Sequence, residues 1–196
     1  MLLYKDITND ILNKDILRAK AKDVEIPLSD EVKKALIEMN EYLFNGYDDE
    51  FVENNDIRPG VGIAAPQIGL SLKMFCIATF DEYGDFHNYA CINPKIISHS
   101  EELTYLETGE GCLSVNDVHK GYIHRYKRIK VRTALYDFEK DEVIETVLQL
   151  KGYLAIVFQH EYDHLFGTLF YDRINKENPF YIPNNSHPVK FKNIEE

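Results

Sequence analysis

Phe158-Gln159-His160-Glu161-Tyr162-Asp163-His164-Leu165 is the stretch on which both fold and chemistry turn. It contains H-E-x-x-H. At 3.6 residues per helical turn, His160 and His164 stand one above the other and can share a metal ion. Glu161, beside the first imidazole, can reach a water at that ion without binding the ion itself. The surrounding residues ask for a helix. Tyr153, Leu154, Ile156, Val157, His160, Glu161, His164 and Leu165 follow the i, i+3, i+4, i+7 spacing of a single face, and Gly167 supplies a stop. Ile156 and Val157 lie one turn before His160, so an apolar wall is expected beside the imidazoles. Taken alone, the pattern also fits ordinary polar residues on an exposed helix, so the rest of the chain has to decide.

Immediately upstream, Arg128 to Tyr136 alternates, with Ile129, Val131, Thr133 and Leu135 on one side. Glu139-Lys140-Asp141-Glu142 turns it into Val143 to Leu150, a hairpin leading straight into the His160 helix. Further back, Lys73 to Thr79 and Tyr89 to Ser98 read as strands joined through the Asp81–Asp85 turn, the second broken by Pro94. Ser29 reads as the N-cap of an amphipathic helix bearing Val32, Ala35, Leu36, Met39 and Leu43 and ending at Asn45-Gly46. A short helix is expected around Asn13 to Ala21, and a short strand at Leu169-Phe170-Tyr171. Residues 47–59 read as an acidic, solvated insertion, and residues 175–196, with three prolines, as an extended tail with a frayed end. Strands with helices at each end and no βαβ alternation indicate an α+β fold: mainly antiparallel β-sheets packed around a central helix that carries the HExxH motif. Residues 1–196 are expected to form a single catalytic domain.

A chain of 196 residues, 44% hydrophobic, is long enough to bury a sizeable core. Its net charge of −11 argues against nucleic-acid or anionic-membrane binding, because phosphates would be repelled. The basic run His124 to Lys130 reads as a solvated strand edge. The N-terminus has no long apolar run, so no leader or membrane span is expected. Three cysteines without framework spacing suit a reducing cytoplasm. Cys76 and Cys91 fall in apolar strands, whereas Cys112 sits in the loop Gly109-Glu110-Gly111-Cys112-Leu113-Ser114.

A catalytic metal needs three protein ligands and an open position. The helix supplies two; a distant His, Asp or Glu could supply the third, but Cys112 is the best single candidate. A thiolate ligand favours iron, zinc or cobalt over magnesium or calcium. A third stretch, Gly60-Val61-Gly62-Ile63-Ala64-Ala65-Pro66-Gln67-Ile68-Gly69, lets a backbone approach closely, but it lacks the Gly-Lys-Ser/Thr ending of a phosphate loop. On composition, Gln67 there either offers an amide N–H to a substrate oxygen or belongs to a tight structural turn.

Together, Gly60 to Gln67 (GxGxAAPQ), Glu110 to Ser114 (EGCLS) and Gln159 to His164 (QHExDH) resemble the three signature motifs of peptide deformylase, in that family's order. The similarity runs from about residue 4 to about 175, and the acidic segment before Gly60 is similar to the Gram-positive-type (type 2) branch. The resemblance implies a hydrolase that removes the formyl group from N-terminal formyl-methionine of newly made polypeptides in a bacterial cytoplasm. It implies that Cys112, His160 and His164 bind the metal, Fe(II) in cells, with Zn, Ni or Co able to occupy the same site. Glu161 would move the proton, while the Gln67 amide and the Leu113 backbone N–H would stabilise the oxyanion. Gly62 would give the substrate backbone access, and Val61, Ile156 and Val157 would receive the methionine side chain. Glu110 would orient the site, paired with Arg125. The expected partners are N-formylmethionyl peptides and nascent chains, with neither nucleic acid nor membrane. A transient association with the ribosome is the further partner implied, although this tail departs from a helical pattern. The competing readings are a general metallopeptidase, a non-catalytic binder of N-terminal peptides, and a structural metal protein. The first two motifs have no role in a common metallopeptidase, no fourth protein ligand is evident, and none of the reactive residues is missing.

Overall fold

The computed structural model describes residues 1–11 and 14–192. A five-stranded antiparallel sheet is formed by β1 (Gly62–Ala64), β2 (Met74–Phe80), β3 (Phe86–His99), β6 (Arg128–Asp137) and β7 (Glu142–Lys151), in the order β1-β2-β3-β6-β7. A smaller sheet runs β5-β4-β8, from β4 (Leu103–Tyr105), β5 (Arg125–Tyr126) and β8 (Ser186–Pro188), with β4 and β8 parallel.

The local chemistry explains the hairpins. Asp81 Oδ1 accepts the backbone N–H of Tyr83 and Asp85 and closes the β2–β3 turn. Asp137 Oδ1 does the same for Glu139 and Lys140 between β6 and β7. Pro94 does not end β3. It cannot donate to the ladder, and the register shifts between Ile92 and Lys95 while the strand continues to His99. Asn93, at φ 49°, turns its amide onto both backbone groups of Val24 at 2.8 Å and pins this irregularity.

Successive residues of β2 serve opposite faces of the sheet. Met74, Cys76 and Ala78 pack under helix α2 (Asp30–Asn45), against Leu36, Met39 and Leu43. Phe75 and Ile77 pack under helix α4 (Gly152–His164), against Leu154, Ala155 and Phe158. The sequence-based bounds of α2 hold, and Ser29 Oγ accepts the Val32 N–H at its start. For α4 the single-face expectation is corrected. Ala155, Phe158, Gln159 and Asp163 are buried along with the predicted face, because the five-stranded sheet covers one side and β4 and β5 another. Gly152 makes the turn from β7 into α4 at φ +56°; a Cβ there would fall 1.9 Å from Glu82 Oε1. Glu82 in turn accepts the Tyr153 N–H, one of the donors a helix start leaves unpaired.

Three further expectations need correction. The acidic segment 47–59 holds a helix, α3 (Asp49–Asn54), capped by Asp48 Oδ1 on the Phe51 N–H, and after it the chain buries Ile57. Leu169-Phe170-Tyr171 is not a strand: Phe170–Arg173 forms a 3-10 turn, closed by Asp172 accepting the Leu169 N–H. The tail is extended but tied down through residue 192, by β8 and by the Lys192 N–H on the Glu82 carbonyl. Residues 193–196 of the expected frayed end lie outside the described residues. The short N-terminal helix is α1 (Lys14–Arg18); Asn13 lies outside the described residues.

Candidate active site

Helix α4 presents His160 and His164 one turn apart, with ring centroids 5.2 Å from each other. The loop after β4 brings Cys112 to them, and its Sγ lies 3.4 Å from His164 Nε2. One donor atom each from Cys112, His160 and His164 lies within 4.8 Å of the other two. Ligand atoms about 2.0–2.3 Å from an ion at tetrahedral angles stand roughly 3.5 Å apart, so the three donors fit an ion with little movement. One thiol and two imidazoles suit iron, zinc, cobalt or nickel and disfavour magnesium and calcium. His160 Nδ1 is engaged by Glu110 Oε2 at 2.9 Å, which leaves Nε2 for the ion. Burial, with the charges of His160 and Arg125 nearby, holds His164 well below the usual imidazole range. The neutral ring is the ligating form.

Behind the ligands runs a chain of buried charges. Arg125 Nε and Nη2 hold the two Glu110 oxygens at 2.6 and 2.8 Å, and Arg125 Nη1 holds Asp163 Oδ2 at 2.9 Å. Arg173 grips Asp163 from the other side with Nε and Nη2. Burial alone would raise the Glu110 carboxyl, yet Arg125 and the His160 hydrogen bond pull it down to about 2. Arg125 is raised in return: burial opposes its charge, but Glu110 and Asp163 outweigh that. The sequence suggested Glu110 and Arg125 but not Asp163 or Arg173. Asp163 was visible as the acid three residues after His160; Arg173 carried no signal at all.

Glu161 is 4% exposed, and its Oε2 has no hydrogen-bond partner. Burial raises its carboxyl to about 7, against the opposing pull of His160 and Arg125. Gly62 stands directly against it, and a Cβ at that position would lie 2.4 Å from Glu161 Oε1. The carboxylate fills the direction a side chain would take, while Gly62 itself still lines the cavity described below. Gln67 is 1% exposed and fixed: Oε1 accepts the Ala64 N–H at 2.8 Å, while Nε2 donates to Ser114 Oγ at 3.2 Å and lies 3.5 Å from Cys112 Sγ.

A cavity of about 340 Å³ joins these groups. Val61, Ile156, Val157 and Leu113 give it an apolar wall, and Gln67, Glu110, Cys112, His160 and Glu161 a polar one. Arg58, Leu106 and Tyr153 also line it. Arg58 lies in the segment read as a solvated insertion, where no periodicity marks it. Cys76 and Cys91 are elsewhere, in the core, and burial pushes both thiols up and out of reactive range.

The family described as polypeptide deformylase matches residues 8–180. "Peptide deformylase 2" of Bacillus anthracis is 49% identical over 190 residues, covering 97% of this chain and all of that one. "Peptide deformylase 2" of Bacillus subtilis is 44% identical with the same coverage. Among solved structures, the peptide deformylase of Thermotoga maritima superposes with a TM-score of 0.65 at 35% identity, covering 89% of this chain and 99% of that one.

Proposed function

The chain belongs to the polypeptide deformylase family, and from that membership we infer which residues carry its reaction. It is a hydrolase that removes the N-terminal formyl group from newly made polypeptides, releasing formate. The observation that carries the assignment of roles is a buried carboxylate, Glu161, with one oxygen unpartnered, sharing a small cavity with the Cys112 thiol and the His160 imidazole, with His164 within donor distance of both ligating groups.

Cys112, His160 and His164 would hold the metal. When bound, the ion supplies Lewis acidity, making water a stronger acid and polarising the formyl carbonyl. Glu161, its carboxyl raised toward neutrality, takes one proton from the attacking water. The water oxygen bonds to the formyl carbon. Gln67 Nε2 and the Leu113 N–H donate to the charge that develops on the formyl oxygen. The C–N bond then breaks, and Glu161 delivers its proton to the departing amine. The rigid placement of Gln67 by Ala64 and Ser114 means that little reorganisation is needed as that charge grows. Val61, Ile156 and Val157 receive the methionine side chain. The ion in the cell is Fe(II), as the family resemblance implies, and zinc, nickel or cobalt can fill the same donor set. The substrates are formylated nascent chains, met in the bacterial cytoplasm; no described helix is long and apolar enough to cross a membrane. Residues 1–196 act as one catalytic unit, with every assigned residue lying inside the 8–180 match.

The test is formate release from formyl-Met-Ala-Ser by protein purified anaerobically with Fe(II), beside a Glu161→Ala variant. Turnover by the wild type is expected to fall at least a hundredfold in the variant, on the order of a general base's contribution, with metal content retained. A variant that keeps its activity removes Glu161 from the mechanism.

A further inference from the structure

Arg58 stands where the active cavity meets a second hollow. It lines the cavity that holds Cys112, His160 and Glu161, and also an adjoining space of about 300 Å³ whose charged lining is Glu107, Glu110, Asp117 and Lys120 beside Arg58. A cavity of about 340 Å³ has no room for the polypeptide behind a formyl-methionine. The next residues must therefore cross its rim, and the exposed Arg58 is on that rim.

Among the described residues Arg58 forms no ion pair, although Glu107 and Asp117 line the same hollow. Arg58 Nη1 makes two long contacts, to the Tyr4 hydroxyl at 3.3 Å and to the Val115 carbonyl at 3.5 Å, and the guanidinium lies 5.9 Å from the Tyr4 ring centroid. Tyr4 is itself held, donating its hydroxyl to Asn116 Oδ1 at 2.7 Å. These contacts place the side chain without neutralising it. Arg18, Arg128 and Arg173, by contrast, each hold a carboxylate. A guanidinium offers five donors in a fork that matches a carboxylate, and here only Nη1 has partners while the residue is exposed.

We propose that Arg58 reads charge at the mouth of the active cavity, so that this deformylase favours formylated chains with acidic side chains directly after the methionine. The inference rests on the deformylase reading of the site. The chain's net charge of −11 repels acidic peptides at long range. The local effect is therefore read as a difference between variants of equal net charge, Arg58→Glu and Lys95→Glu; Lys95 is exposed on β3 and lines none of the described cavities.

The experiment measures kcat/KM for three C-terminally amidated peptides, formyl-Met-Glu-Glu, formyl-Met-Gln-Gln and formyl-Met-Lys-Lys. Amidation ensures that Arg58 meets side-chain carboxylates and not a terminal one. Arg58→Glu is expected to lower the Glu-Glu to Lys-Lys ratio by roughly tenfold, the compounded effect of exposed charge pairs each worth a few-fold. Arg58→Lys is expected to keep the wild-type preference, and Lys95→Glu to leave the ratio near its wild-type value. An unchanged ratio in Arg58→Glu, or an equal fall in Lys95→Glu, overturns the proposal. Hydrolysis of the Gln-Gln peptide reports the deformylase reading separately: turnover blind to charge and no turnover of any peptide are different results.

Discussion

On the cavity side of helix α4, Glu161 Oε2 is buried without a partner. On the far side, Asp163 accepts from both Arg125 and Arg173, and Arg125 is saturated by Glu110 and Asp163 together. One helix thus carries an unfinished polar surface and a completed one within a single turn. An unpaired buried polar group costs free energy, so it persists where something else is meant to complete it. Breaking a completed buried ion pair costs about 3–5 kcal/mol, so groups held that way keep their positions. The completed side is a frame; the unfinished side is where an ion and a substrate belong.

Substitutions on the two sides should therefore differ in kind. The largest effect is expected at Gly62→Ala, which touches the unfinished side alone. The new methyl would meet Glu161 at 2.4 Å, and buried overpacking typically costs 1–3 kcal/mol. Displacing the carboxylate by about 1 Å costs on the order of a hundredfold in rate. Steady-state kinetics beside metal analysis checks this, and wild-type kcat in Gly62→Ala would show that Glu161 has freedom the packing denies it. Next comes Glu110→Gln, at the junction of the two sides. It keeps the shape but loses the charge that faces Arg125 and His160, so metal affinity should fall by about 10–100-fold, read by competition with a chelator. The smallest effect is expected at Arg173→Ala. The Arg173 side chain is 46% exposed, and Asp163 keeps Arg125, so about 1 kcal/mol or less is lost. That corresponds to a Tm lowered by roughly 2–4 °C with metal affinity nearly unchanged. A large loss of metal affinity would extend the frame's influence out to the surface.

Much of this was legible in the chain itself, where the determinants are local. Ser29 announced α2, alternation announced β6 and β7, and H-E-x-x-H announced both the helix and the two imidazoles that the structure brings to Cys112. Cys112 could be singled out because glycines, not apolar strand residues, flank it. What escaped depends on distant or unpatterned partners. Strands β4 and β8 are three residues each and pair Leu103 with Ser186, a contact with no period to detect. Leu169-Phe170-Tyr171 has a strand's composition, but the Asp172 carboxylate folds back on the Leu169 N–H and makes a turn. In residues 47–59 the acidic composition masked Phe51 and Val52, which pack against the α2 side of the core. The same masking hid Arg58. Gly62 was singled out for an absent side chain, and it lines the cavity; that its missing Cβ also leaves room for Glu161, about a hundred residues away in sequence, could not be seen there.

The distribution of the three thiols has a practical consequence. Cys76 and Cys91 are sealed in the core with their ionisation suppressed, whereas Cys112 opens onto the cavity. A small thiol-modifying reagent applied to folded protein should therefore label one equivalent when the centre is empty and none when an ion holds the sulfur as its ligand. The labelling stoichiometry of a preparation counts its empty fraction, and the shortfall from one equivalent its loaded fraction, obtained without substrate and without knowing which ion is present.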